Sequence, residues 1–186
     1  TPEERAQFSA QAAADWERIL LARAAELTPG GRFICLNFGI DEKGRYLGNT
    51  GGQSMFDNFT RHWRAMRDEG RITKQEFIRA TFAQHYRTVE EFTAPFDDSS
   101  SAVRQAGLKL ISVETRLTSC PYNALYREAS TKMSSADYAA SLIPTTRSWS
   151  ETVFRTALAG RPEAEIQALL DAFYDNYEQQ VAADPS

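Results

Sequence analysis

Residues 17–39 read ERILLARAAELTPGGRFICLNFG, and this stretch decides the fold. Its first half is helical. Trp16, Ile19, Leu20, Ala24 and Leu27 recur on one face of a helix expected over residues 2–27. Thr28, Pro29, Gly30 and Gly31 stop that helix, with either glycine free to take a left-handed cap. Residues 32–38 then make a short, nearly unbroken apolar run from Arg32 to Phe38. Such a run suits a strand covered on both faces, as in a parallel sheet. The glycine-rich stretch 39–54 that follows reads as a loop.

Outward from there, helical periodicity dominates. Met55, Phe56, Phe59, Trp63 and Met66 line one face of a second helix that Gly70 ends. Thr73 with Glu76, and Thr88 with Glu91, have capping-box spacing and open two further helices. Asp97, Asp98 and three serines make a turn into a short helix at 101–106. Residues 108–117 alternate and are rich in β-branched side chains, so a second strand is expected there. The rest reads as helix: 122–129, then 135–143 interrupted by Pro144 and resuming over 145–159. The last helix carries the cleanest stripe, Ile166, Leu169, Leu170, Phe173, Tyr174, Tyr177 and Val181. Two strands alone leave most of a sheet unaccounted for, because a covered strand needs neighbours for its backbone groups. The two are therefore expected to lack partners within this chain. The chain also begins inside a helical pattern with no initiator Met, which adds to the expectation of a longer protein.

Composition narrows the function. The chain has 186 residues, 42% hydrophobic and 25% charged, with a net charge of −4. These values exclude global disorder and disfavour a nucleic-acid partner. No apolar segment long enough to span a membrane is visible, and a cytoplasmic location with no membrane partner is expected. Two cysteines and two histidines leave little room for a structural zinc site, and no metal is expected. Cys35 and Cys120 read as free thiols. Ser54, Ser112 and Ser119 have no partner base at a recognisable spacing, so a hydrolase triad has no support. His62 reads as a solvated helix residue, and Arg61, Arg64 and Arg67 as a solvated face. The Asp97–Asp98–serine turn is better explained by capping than by a cation.

The ordered set of segments resembles the SABATH-type S-adenosylmethionine-dependent carboxyl methyltransferases. ERILLARAAELTPGGRFICLNFG is similar to the family's long helix ending in a PGGR turn before the fifth strand. MFDNFTRHWRAMRDEGRITKQEF resembles its helical cap, YRTVEEFTAPF the next segment, and VRQAGLKLISVET a later strand. TTRSWSETVFRTAL and AEIQALLDAFYDNYEQQVA look like its last two helices. The resemblance implies an α/β parent, a Rossmann-like methyltransferase sheet with a helical cap. The chain itself would be mostly α with two sheet strands. It divides the chain into 1–40, a helix and strand of the core; 41–106, the mainly helical cap; 107–119, a core strand; and 120–186, C-terminal helices of cap and core. The cofactor-binding N-terminal half would be absent, because no strand here leads into a glycine turn. The family's last strand would lie between the two strands expected here.

What carries over is a pocket wall. The resemblance implies substrate contacts from Phe38 at a strand end, from Met55 and Phe56 on the cap helix, from His85 and Tyr86 on a loop, and from Trp149 on a late helix. It assigns no catalytic residue and no cofactor-binding residue to this segment. The implied cofactor is S-adenosyl-L-methionine, bound by the missing half. The implied partner is a small-molecule carboxylic acid, with methylation at nitrogen in some members and a homodimer left open. A carboxylate is already a nucleophile, so the wall needs mainly to exclude water and align the attack. The bland alternative for Phe38, Met55, Phe56 and Trp149 is plain core packing. The alternative for the whole chain is a non-catalytic, mostly helical binding module.

Overall fold

Thr1 opens the first helix with a reciprocal cap, its hydroxyl accepting from the Glu4 amide at 3.2 Å. In the computed structural model, which describes residues 1–128 and 132–185, the elements run in chain order as follows. They are α1 (Pro2–Glu26), β1 (Gly39–Ile40), α2 (Met55–Asp68), α3 (Lys74–Arg79), β2 (Arg87–Thr88), α4 (Val89–Asp97), α5 (Ala102–Gln105), α6 (Pro121–Arg127), α7 (Ser135–Ala157) and α8 (Glu163–Ala183). The chain is mostly helical, with one two-stranded parallel sheet among the described residues. It divides into two compact units, Thr1–Thr50 with Gln84–Leu117, and Gly51–Ala83 with Thr118–Ser186.

The first unit is a helix layer around a small core. Trp16 and Leu20 of α1 close on Val103 of α5, with Phe92, Phe96 and Leu108 packed against them. The Trp16 ring meets Phe92 edge-on at 5.4 Å, and its indole N–H donates to the Phe92 carbonyl at 3.0 Å. That bond satisfies the one polar atom such a ring buries. Arg87 reaches across to the Ala12 carbonyl at 2.6 Å and lies over the Trp16 and Phe92 rings. The sheet pairs Gly39 with Arg87 and Ile40 with Thr88. Gly39 allows a close approach there: a Cβ would stand 3.1 Å from the Arg87 carbonyl oxygen and 3.2 Å from the Phe92 ring, tighter than a side chain usually comes.

The two strands are not those expected from the sequence. Residues 32–38 and 108–117 are irregular, and no backbone–backbone hydrogen bond joins them among the described residues. Leu36 is 95% exposed, Ile34 82% and Ile111 76%. Apolar alternation records a tendency to be buried in a sheet; it cannot supply the neighbouring strand. Among the described residues four find one in the ladder, Gly39, Ile40, Arg87 and Thr88. The assignment of 32–38 and 108–117 as strands does not hold.

The second unit is built on α7 and α8. All seven residues of the α8 stripe are buried. They meet Tyr138, Ala139, Ile143, Phe154 and Ala157 of α7, and Phe59, Trp63 and Met66 of α2. Phe154 and Phe173 are in the closest ring contact, 4.4 Å between centroids. The break expected at Pro144 does not occur, and α7 runs through it. An interior proline costs about 3 kcal/mol. Breaking the helix would forfeit burial on both sides of the proline, and burying a single large side chain is worth about 1.5–3 kcal/mol. The expected end of α6 at Ala129 lies outside the described residues; the helix is described to Arg127.

The capping predictions hold where they are local. Thr73 with Glu76 and Thr88 with Glu91 both form capping boxes. Asp98 accepts from the Ser100 amide at 2.8 Å, and Ser101 caps α5. His62, expected to be solvated, is instead partly buried. It bonds to Gln180 on α8, and burial holds its pKa below the ordinary histidine value. Arg67 is likewise not free, its guanidinium lying 4.5 Å over the Phe77 ring. Cys35 and Cys120 are both exposed thiols. No helix among the described residues is long and apolar enough to cross a membrane.

Candidate substrate-wall residues

The six residues assigned to a pocket wall fall on both units. Phe38, His85 and Tyr86 belong to the first, and Met55, Phe56 and Trp149 to the second.

In the first unit the short ladder does the positioning. With Gly39 paired to Arg87 in parallel register, Phe38 and Tyr86 stand at equivalent places one step earlier. Phe38 is 65% exposed. Tyr86 stacks on Tyr46 with centroids 5.5 Å apart and planes 28° apart, and its hydroxyl donates to Gln84. Burial, and then the neighbouring Tyr46, push the Tyr86 pKa up, so it stays a neutral donor at ordinary pH.

Tyr46 is a residue that the sequence reading passed over inside a glycine-rich loop. A tight turn presents it. The Asp41 carboxylate accepts from the amides of Lys43 and Arg45 at 2.9 and 2.8 Å and from the Arg45 guanidinium at 2.7 Å. Beyond the turn, the backbones of Tyr46 and Asn49 exchange bonds at 3.1 and 2.9 Å. An Asp followed by Gly and Arg within four residues was the available signal.

His85 is engaged elsewhere. Its Nε2 stands 3.3 Å from both oxygens of Glu91, which also receives the Ser9 hydroxyl at 3.1 Å and the Thr88 amide at 2.9 Å. Burial raises the Glu91 pKa. The bonds from Thr88, Ser9 and His85 outweigh it and hold the carboxyl below its usual range. This Ser–His–Glu grouping is no nucleophilic triad, because the serine donates to the carboxylate and makes no bond to the imidazole. Its effect is to tie α1 to the start of α4.

In the second unit Met55 and Phe56 pack against the main core from the start of α2. Phe56 meets Phe82 at 5.5 Å, and Phe82 meets Trp149 at 6.1 Å. Phe59 lies behind all three. Phe82, which the sequence reading did not single out, links the cap-helix aromatic to Trp149. Trp149 is 41% exposed and is the ring of this group that reaches solvent most openly. A shallow depression of about 200 Å³ on the same unit is lined by Ala136, Asp175, Glu178, Gln179 and Ala182 and touches none of these rings.

Both clusters can hold a flat or apolar body by ring contact. Neither contains a paired acid and base. Among the described residues no group of three or more His, Cys, Asp or Glu side chains is arranged to hold a metal ion. Nor does any described strand enter a helix through a glycine turn: β1 runs into the loop, and Ser54 caps α2. The residues here therefore do not fit the recognition of S-adenosylmethionine, which needs such a turn and an acid for the ribose hydroxyls. Compared with models of protein families and with curated proteins, the chain matches none.

Proposed function

We propose that this chain supplies the substrate-pocket wall of an S-adenosylmethionine-dependent methyltransferase acting on the carboxylate, or a nitrogen, of a small molecule. In this reading the parent has a Rossmann-like sheet with a helical cap, and the cofactor is bound by polypeptide outside these residues. Two things support it. The segments resemble those of the carboxyl methyltransferases in order along nearly the whole chain. The aromatic side chains given to the wall by that resemblance also sit in ring clusters that reach the surface, Tyr86 with Tyr46 and Trp149 with Phe82. The second observation carries the proposal. A wall for this chemistry needs to strip water from an acid and fix its orientation, and a cluster of rings that carries no charge at neutral pH serves both ends.

Trp149 is the residue to test, because its partial exposure makes its removal less costly to the fold than removal of Phe56. In the complete enzyme, Trp149→Ala should raise KM for the acid about tenfold, the loss of one apolar ring contact. Affinity for S-adenosylmethionine should stay the same. If kinetics and cofactor affinity are unchanged and only the melting temperature falls, Trp149 is a packing residue and the wall assignment is wrong.

A further inference from the structure

Eight of the thirteen exposed large hydrophobic side chains among the described residues lie in 32–38 and 108–117, both in the first unit. Their exposed fractions together equal about five whole side chains, roughly 750 Å² at about 150 Å² each. That is close to the roughly 800 Å² per partner of a standard protein interface.

The backbone states the chemistry of what covers them. Apart from the Leu108 amide, which donates to the Val103 carbonyl at 3.3 Å, neither segment makes a backbone–backbone hydrogen bond outside the β1–β2 ladder among the described residues. A helix laid over the side chains would bury those amides and carbonyls unpaired; only another extended strand satisfies both the side chains and the backbone. The charges that usually protect a free edge stand only at the flanks, at Arg32, Lys109, Glu114 and Arg116. Neither segment contains proline, and 33–38 and 110–113 carry no charge. Leu108 is anchored on the Trp16–Leu20 core, and the Thr115 hydroxyl donates to Glu42 at 2.7 Å, just beyond β1. Both segments are thus held at their ends with their middles free.

We propose that the first unit docks a second copy of this chain by strand pairing, with 32–38 and 108–117 of the two copies forming one intermolecular sheet. A second copy brings the same unpaired backbone and the same apolar alternation, and a two-fold contact requires one self-complementary patch of this size. The inference concerns the 186-residue chain by itself; in the methyltransferase reading the parent's own sheet would cover the same segments.

The test is sedimentation equilibrium of the chain up to about 100 µM, with amide exchange followed at Ile34 and Ile111. A closed dimer is expected, with both amides becoming protected together as it forms. Leu36→Lys and Ile111→Lys alter side chains that are mostly exposed in one copy, so helix content by circular dichroism should not change. Each should weaken the dimer about tenfold or more. A chain that stays monomeric, protection already present in the monomer, or a dimer indifferent to both substitutions would overturn the proposal. So would open-ended aggregation in place of a closed dimer.

Discussion

Replacing Phe59 by alanine should lower the melting temperature by roughly 10 °C or more. Phe59 projects from the second turn of α2 and is 2% exposed. Its ring centroid lies within 5.7 Å of Phe82, Phe154 and Tyr177, and slightly farther from Phe56, Trp149 and Phe173. It joins the α2 face to α7 and α8 and supports the Phe56–Phe82–Trp149 edge from behind. Removing such a ring costs about 3–5 kcal/mol, the lost transfer energy plus the cavity left behind. Thermal denaturation followed by circular dichroism reads this directly. Phe59→Leu should recover more than half of the loss. A shift of only a degree or two for Phe59→Ala would mean that the ring cluster is not the centre of the second unit.

The second large effect should come from Arg161. Its guanidinium grips Glu76 with two bonds, 2.6 and 2.8 Å, and also donates to the Arg71 carbonyl at 3.2 Å. Glu165 is a further partner. The pair is largely shielded, with side chains 20% and 13% exposed, and it ties the link between α7 and α8 to the start of α3. The Arg161 bonds first, then the Thr73 amide and hydroxyl, overcome burial and lower the Glu76 pKa to about 2. Arg161 moves the opposite way, upward, with Glu76 as the leading cause. A carboxylate whose pKa drops on folding adds stability that is complete above its unfolded value of 4.5 and lost as pH falls through about 2. Arg161→Ala should therefore destabilise the protein by roughly 2–4 kcal/mol at neutral pH, since Glu76 is left shielded and unpaired. The gap to the wild type should narrow steadily between pH 4.5 and pH 2. Arg161→Lys should recover only part of it, because an ammonium cannot reproduce the two-bond fork. Urea melts at several pH values give the result. A gap that does not change with pH would show that the ion pair is not its source.

What was legible in the sequence was local. The faces of α2 and α8 follow from spacing alone, and three capping turns follow from a hydroxyl three residues before an acid or at a turn. Features set by tertiary neighbours were not legible. Pro144 sits inside α7 because its flanks are buried against other helices, and no property of residues 135–159 alone reveals that. The apolar pattern at 32–38 and 108–117 is real, yet the ladder formed at 39–40 and 87–88, where Gly39 lets a backbone approach. The same limit applied to the candidate wall. Phe56 and Tyr86 were found through their segments. Their ring partners Phe82 and Tyr46 were not, because each stands in a connecting stretch and meets its partner only in the folded chain. His85 looked available for a ligand because the sequence cannot show that Glu91, three residues after a threonine cap, also faces it.

The proposal to test is that these residues form the acceptor side of a methyltransferase whose cofactor is bound by polypeptide outside them. Labelled S-adenosylmethionine should be offered side by side to this 186-residue chain and to the complete product of the reading frame that contains it, each with a panel of small carboxylic acids. The account predicts methyl transfer to an acid by the complete product, and neither binding nor transfer by the chain alone. Micromolar binding of S-adenosylmethionine by the chain alone, or a complete product that neither binds it nor methylates any acid, would contradict the account.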